Sequence, residues 1–348
     1  MPAEPIYLDF AATTPVLPEA RAAIARGLET WANPSSVHAA GRAARVALED
    51  ARERVAAALG WTGSVIFTGS ASEALAIAWQ RSRTGRRFAS AVEHTAVLRH
   101  AGTDLIAVDA AGLVEPAALP AADLYAVQQV NNETGVIQPL AAVIAAARAE
   151  GALVLADCAQ GAAKLALPEA DMVVVAGHKI GAPPGIGALL VRDLALLEPD
   201  GGQERGYRAG TENLPYALGL AAALEASRDW IEEAGNLRAW FEGELRALGG
   251  AVIAGAAPRL ATIGAYRLPG TQAGAVLIRA DAAGIAISAG SACSSGSLKP
   301  SHVLAAMGMG ETTAREVFRV SIGRATTRAH LEALLGVISA MARSRAAA

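Results

Sequence analysis

The chain has 348 residues, 53% of them apolar and 18% charged, with a net charge of −3. That length exceeds what one compact core usually carries, so two domains are expected. The near-neutral balance and scattered arginines leave no footprint for a nucleic-acid partner, and the short basic run 81–87 reads as a solvated loop. No apolar stretch is long enough to span a bilayer, the best candidates being 215–224 and 140–147. The opening Met1-Pro2-Ala3-Glu4-Pro5 lacks a basic region followed by an apolar one, so no secretion signal and a cytoplasmic location are expected. The two cysteines, Cys158 and Cys293, are expected to be reduced thiols.

In chain order, 18–31 and 43–59 read as helices, 64–68 as a buried strand and 72–80 as a helix. Short apolar runs at 88–92, 104–108, 124–128, 152–156 and 171–176 read as further buried strands. Helices are expected at 140–150 and, as one long element, at 213–235. Such strand–helix alternation predicts an α/β architecture with a mainly parallel sheet covered on both faces. Beyond residue 237 the character changes, with antiparallel-looking segments at 261–267 and 317–322, and a smaller α+β domain is expected there.

Ligands of open α/β sheets sit beyond the carboxyl ends of the strands. Five polar clusters fall there: 68–72, Glu93-His94, Asn131-Asn132-Glu133, 157–160 and Gly177-His178-Lys179. Lysine directly after a buried strand is unusual because a buried ammonium is costly. A desolvated lysine can form a Schiff base. Asp157, 22 positions earlier at the end of the preceding strand, can keep a pyridine nitrogen protonated. The pair alone does not distinguish a cofactor site from an ordinary ion pair. Segment 68–73 enters a helix with Gly69 and two serines, which suits a phosphate at a helix N-terminus. Taken alone it reads at least as readily as a plain helix cap. No phosphate loop of another kind and no metal-ligand spacing is present. Cys293 lies in the small, polar run 288–297, expected to be an exposed, mobile loop. That is a setting in which a thiolate nucleophile can work, though loop character alone does not decide it. Cys158 reads as a small buried hydrophobe.

A longer series of motifs appears in one order. It runs Tyr7-Leu8-Asp9-Phe10-Ala11-Ala12-Thr13-Thr14-Pro15, Asn33-Pro34-Ser35-Ser36-Val37-His38, Glu93-His94 and Asn131-Asn132-Glu133-Thr134-Gly135. It continues through Asp157-Cys158-Ala159-Gln160, Gly177-His178-Lys179 and Gln203-Glu204-Arg205-Gly206-Tyr207-Arg208-Ala209-Gly210-Thr211. It ends with Ser291-Ala292-Cys293-Ser294-Ser295-Gly296 and Arg319-Val320-Ser321-Ile322-Gly323-Arg324. The series resembles the cysteine desulfurases that supply sulfur for iron–sulfur clusters, within the class V aminotransferase group of pyridoxal-phosphate enzymes.

The resemblance implies a fold-type I transferase. It would have a large domain over 15–230 with a mainly parallel seven-stranded sheet between helices, and a small α+β domain made of 1–14 and 231–348. It implies pyridoxal 5'-phosphate as cofactor, carried by Lys179, with Asp157 at the pyridinium nitrogen and His94 stacked on the ring as an acid–base group. Asn132 and Gln160 would bond the ring's phenolic oxygen, and Ala71, Ser72 and His178 the phosphate. Thr211 would reach the phosphate of a neighbouring subunit, making a homodimer with shared sites. Arg319 would grip the substrate carboxylate, with Asn33 near it. The implied reaction takes L-cysteine to L-alanine and leaves sulfur as a persulfide on Cys293 for an acceptor or scaffold protein.

Departures from the family pattern qualify this. Ala176 stands where the family usually has serine, which removes one phosphate hydrogen bond worth roughly 1–2 kcal/mol. Gly69-Ser70-Ala71-Ser72-Glu73-Ala74 replaces the usual Ser-Gly-Ala-Thr-Glu-Ser, with Ser72 keeping a hydroxyl. A short C-terminal segment puts docking of a scaffold protein in doubt. The alternatives are a related class V enzyme (selenocysteine lyase or aminotransferase) and a weakly catalytic pyridoxal-phosphate-binding regulatory protein. The Cys293 loop speaks against transamination, which does not need it.

Overall fold

The computed structural model describes residues 5–290 and 301–346. The first half runs β1 (Ile6–Tyr7), α1 (Pro18–Glu29), α2 (Ala39–Leu59), β2 (Ser64–Thr68), α3 (Ala71–Arg81), β3 (Arg87–Ser90), α4 (Thr95–Ala101) and β4 (Leu105–Ile106). It continues with β5 (Leu124–Ala126), α5 (Leu140–Ala149), β6 (Leu153–Asp157), β7 (Met172–Ala176), β8 (Gly187–Val191), α6 (Leu214–Glu225) and α7 (Trp230–Ala247). The last part holds β9 (Ala251–Val252), β10 (Ile263–Arg267), α8 (Ala273–Ala282), β11 (Ile285–Ala286), β12 (Ser288–Ala289), α9 (His302–Ala306), α10 (Glu311–Ala314), β13 (Val317–Ser321) and α11 (Arg328–Ala346).

Seven strands form the main sheet in the order β2-β8-β7-β6-β5-β3-β4. Only β8 runs against its neighbours, pairing antiparallel with both β2 and β7. All the other strands therefore end on the same side. Alternate side chains feed two cores: Val154, Ala156, Val173 and Val175 on one face, Leu155, Met172 and Val174 on the other. A sheet buried on both faces needs apolar residues at every position, so its strands read as continuous runs rather than alternations. A four-stranded antiparallel sheet, β12-β13-β10-β9, builds a separate core around Phe241, Tyr266, Phe318 and Ile338, which Leu8 joins from the N-terminal segment.

Local chemistry sets the element ends. Pro18 opens α1, where a missing N–H costs nothing. His38 caps α2 through its side chain, so that helix starts earlier than residue 43, and Gly60 ends it in the left-handed conformation at φ 64°. The expected single helix over 213–235 is two. Ala226 is extended (ψ 146°) after α6, and the Ser227 hydroxyl both donates to the Asp229 carboxylate at 2.7 Å and accepts the Asp229 amide at 3.2 Å. Serine and aspartate compete with the helical ladder in this way. The run 288–297 is not wholly loop, since Ser288 and Ala289 are buried strand residues paired with β13.

Candidate active site

The five polar clusters do converge beyond one end of the main sheet. They line a cavity of about 360 Å³ whose walls include Ala71, Ser72, His94, Asn132, Asp157, Gln160, His178, Lys179 and Arg319. Asn33 and Thr211 are exposed and do not line it. Cys293 lies outside the described residues.

Lys179 enters through a short turn after β7, and its ammonium donates to the carbonyls of Ala11 and Ala12. β6 and β7 are adjacent and parallel, with Asp157 in register with Val174, which brings Asp157 and Lys179 to the same end. Asp157 is 7% exposed, and its Oδ1 accepts the Ala159 amide at 2.9 Å. Burial pushes its pKa up to about 6, against the pull of that amide and of Lys179.

His94 caps α4, its Nδ1 accepting the Ala96 amide at 3.1 Å. That contact keeps Nδ1 unprotonated and puts the ring proton on Nε2. Burial, then the charges of Lys179, His302 and Arg99, hold its pKa below the usual histidine value. His178 is pushed down to about 4 by burial and by Lys179, and its Nδ1 lies 3.2 Å from the Thr13 hydroxyl.

Ser70 caps α3, its hydroxyl accepting the Glu73 amide at 3.1 Å. Ala71 and Ser72 are the first two helical residues, so their amides have no acceptor within the helix. Gly187 lies against this turn: a Cβ there would sit 2.8 Å from the Ser70 carbonyl carbon and 3.0 Å from the Ala71 nitrogen.

Arg319, on β13, is 3% exposed and donates to Asp9 at 2.7 Å and to the Asn132 carbonyl at 2.9 Å. Its buried Nε has no partner among the described residues. Gln160 donates from Nε2 to the Ala11 carbonyl at 2.9 Å, while its buried Oε1 has no partner among the described residues. Buried polar atoms left this way cost about 1–3 kcal/mol each unless something completes them. An anion cradle at a helix start, a buried carboxylate, a lysine and these two orphaned groups around one cavity fit a phosphorylated pyridine aldehyde. Among the described residues, no group of three His, Cys, Asp or Glu side chains is arranged to hold a metal.

Three participants are given no role by the sequence alone. Glu93 is 1% exposed, accepts the Gln128 amide at 2.6 Å, and has its pKa pushed well up by burial and by Asp157. His302 reaches the cavity from α9, its Nε2 lying 2.8 Å from the Glu93 carbonyl. Asp9 holds Arg319. Glu93 and Asp9 stand in the motif series, but their roles depend on contacts across the fold. No local pattern marks His302.

Residues 6–334 match the family model described as aminotransferase class-V, and the chain belongs to that family. It is 38% identical to an IscS-like cysteine desulfurase of Mycobacterium tuberculosis, with 98% of each chain covered. It is 37% identical to a cysteine desulfurase of Gluconacetobacter diazotrophicus, over 96% of this chain and 92% of that one. Among solved structures, a NifS-like protein from Rickettsia africae superposes with a TM-score of 0.89 at 29% identity, covering 97% of this chain and 99% of its own. A structure described as SspA in complex with cysteine superposes with a TM-score of 0.79 at 30% identity, covering 91% and 98%.

Proposed function

We propose that this protein is a pyridoxal-phosphate-dependent cysteine desulfurase that converts L-cysteine to L-alanine and hands the sulfur on through Cys293. The observation that carries the reading is the meeting of Lys179, Asp157, His94, Gln160 and the α3 N-terminus in one cavity with Arg319 in its wall. The family and the full-length relatives named cysteine desulfurase support it.

Lys179 would hold the cofactor, Asp157 its ring nitrogen, Asn132 and Gln160 its phenolic oxygen, and Ala71, Ser72 and His178 its phosphate. When bound, the pyridoxal ring supplies an electron sink for the charge that develops at the substrate carbon. Arg319 binds the substrate carboxylate with donors that Asp9 leaves over, and Asn33 assists. Lys179 and His94 move protons at the substrate. The Cys293 thiolate attacks the substrate sulfur, and the carbon–sulfur pair stays with carbon, which takes up a proton. The products are alanine and an enzyme persulfide, which serves iron–sulfur cluster assembly or another acceptor.

Thr211, exposed and not among the residues lining its own cavity, suits a homodimer in which each subunit completes its partner's site. Exposed Leu28, Trp31 and Val37, close in sequence after the α1 core face, support such an interface. The separate apolar cores support a large domain over 15–230 and a small one made of 1–14 and 231–348. The free thiol of Cys158 suits a reducing compartment, and we place the enzyme in the cytoplasm.

The deciding experiment measures alanine and sulfide from L-cysteine with reductant, using wild type and Cys293→Ala loaded with cofactor. Equal release of both products by wild type and none by the variant is expected. Cofactor binding without alanine formation by wild type would overturn the assignment.

A further inference from the structure

A second, larger cavity of about 520 Å³ lies on the other side of Lys179. It shares Ala11, Gln160 and Lys179 with the first cavity and is otherwise separate from it. One wall comes from the main-sheet side, through Leu17, Lys164 and Ile180. The facing wall comes from the small-sheet side, through Ile322 and Trp230. The linker between α6 and α7 closes the end with Ala226, Ser227 and Arg228.

The charge on these walls is one-sided. Lys164, Lys179, Arg228 and Arg324 line the cavity and, among the described residues, no carboxylate does, in a chain with 33 acidic residues against 30 lysines and arginines. The described partners of three of these cations are neutral carbonyls. Lys164 donates to Gln160 at 3.0 Å and to Lys179 at 3.3 Å. Arg228 donates to the carbonyls of Ala58 and Leu224, and Arg324 to that of Ser227 at 2.6 Å. Arg324 also lies 5.7 Å from the Trp230 ring centroid. Carbonyls orient a cation but do not neutralise it, so the half-buried Lys164 and the exposed Arg228 and Arg324 keep their charge, that of the two arginines screened in part by water. Burial, and after it the neighbouring Lys179, push the Lys164 pKa down to about 8. Between the cations the surface is aromatic and aliphatic, from Tyr7, Phe10, Trp230 and Ile263. The volume lies within the range of small-molecule sites.

We propose that this cavity is a second ligand site, taking a small amphipathic anion: an aromatic or branched apolar body carrying one carboxylate. The apolar body would fill the space between Phe10 and Trp230, and the carboxylate would meet Arg228, Arg324 and Lys164. An occupant would touch walls belonging to two separate cores and would back onto Lys179 without entering the amino-acid site. The proposal does not depend on which reaction the first cavity performs.

The test is calorimetric titration of cofactor-loaded enzyme with 2-naphthoate and, separately, with its neutral amide. Wild type is expected to bind the acid with a Kd of about 10–100 µM and the amide at least about tenfold more weakly. The double variant Arg228→Gln/Arg324→Gln should lose about tenfold in affinity for the acid while keeping wild-type turnover. Ala226→Trp, which fills the linker end, should lose binding altogether while keeping its far-ultraviolet spectrum and melting cooperativity. Excess L-alanine should leave 2-naphthoate binding unchanged. Equal affinity for acid and amide, unaltered binding by the charge variant, competition by L-alanine, or no binding up to about 1 mM would each overturn the proposal.

Discussion

The guanidinium of Arg52 donates to the Glu204 carboxylate at 2.7 Å, and the same carboxylate oxygen accepts the amide of Phe67 at 2.9 Å. One buried ion pair thus ties α2, β2 and the turn around Glu204 and Arg205, both of which sit at positive φ (51° and 60°). Non-glycine residues pay for that conformation, so the turn relies on the anchor. The Arg208 contact to Glu73 at 2.9 Å extends the tie to the start of α3.

Removing one charge of a buried pair leaves the other uncompensated, which costs about 3–5 kcal/mol. Glu49 remains beside Arg52 at 3.0 Å, so the lower end of that range applies to Glu204→Gln. Urea denaturation is expected to show about 3 kcal/mol of lost stability. A loss under about 1 kcal/mol would show that the turn holds without its anchor.

The pair also shows where sequence reading stops. Lys179 and Asp157 were legible because each ends an apolar run, and parallel neighbours must end together. Strand β8 was missed, since Gly187 to Val191 is a short apolar run after a glycine–proline turn, and periodicity says nothing of its direction. The break at Ala226 hid inside an alanine-rich helical pattern, because a serine and an aspartate two residues apart decide it. Glu93, Asp9 and His302 could not be placed by local pattern, their partners lying 35, 310 and 209 positions away.

Asp9 is a positioning residue for Arg319. Asp9→Asn keeps the shape but weakens the charge-assisted contact that aims the guanidinium. The expected outcome is a KM for L-cysteine raised about tenfold with kcat within about twofold. A fall in kcat at unchanged KM would assign Asp9 a different role.

His178 gives a pH dependence whose sign is fixed. Its folded pKa is about 4, below the ordinary value of 6.5, so the unfolded chain binds more protons between those values. The stability linked to the neutral ring is full above pH 6.5 and is lost as pH falls toward 4. Asp157 acts oppositely in the same interval, being raised from 3.8 to about 6, so the wild-type profile alone does not isolate the histidine. The stability difference between wild type and His178→Asn does. It should shift by about 1 kcal/mol in favour of the variant between pH 8 and pH 5, after allowance for partial exposure. Cofactor-free protein and urea titration at both pH values check it.

Ala176 ends β7 in the cavity wall, close to the α3 turn through the intervening strand β8. Ala176→Ser adds a hydroxyl where the related enzymes usually carry one. One further hydrogen bond to an anion is worth about 1–2 kcal/mol, so cofactor affinity should rise about tenfold. Absorbance titration of the cofactor-free protein measures it. An unchanged constant would mean that the amides of Ala71 and Ser72 already saturate the anion.

Gly187 separates two roles of the same turn. A Cβ at this position would sit 2.9 Å from the Val175 carbonyl oxygen as well as against Ser70 and Ala71. All three are backbone, so no flexible side chain can swing aside to make room. Gly187→Ala should therefore cost about 1–3 kcal/mol of stability, as overpacking does in a close-packed interior. It should also displace the free amides of Ala71 and Ser72 and lower cofactor affinity about tenfold. If stability falls while affinity holds, the strain is absorbed in β8 and the helix start is not the phosphate cradle. If both fall together, and Gly60→Ala on the far surface reproduces only the stability loss, the contact with the α3 turn accounts for the binding.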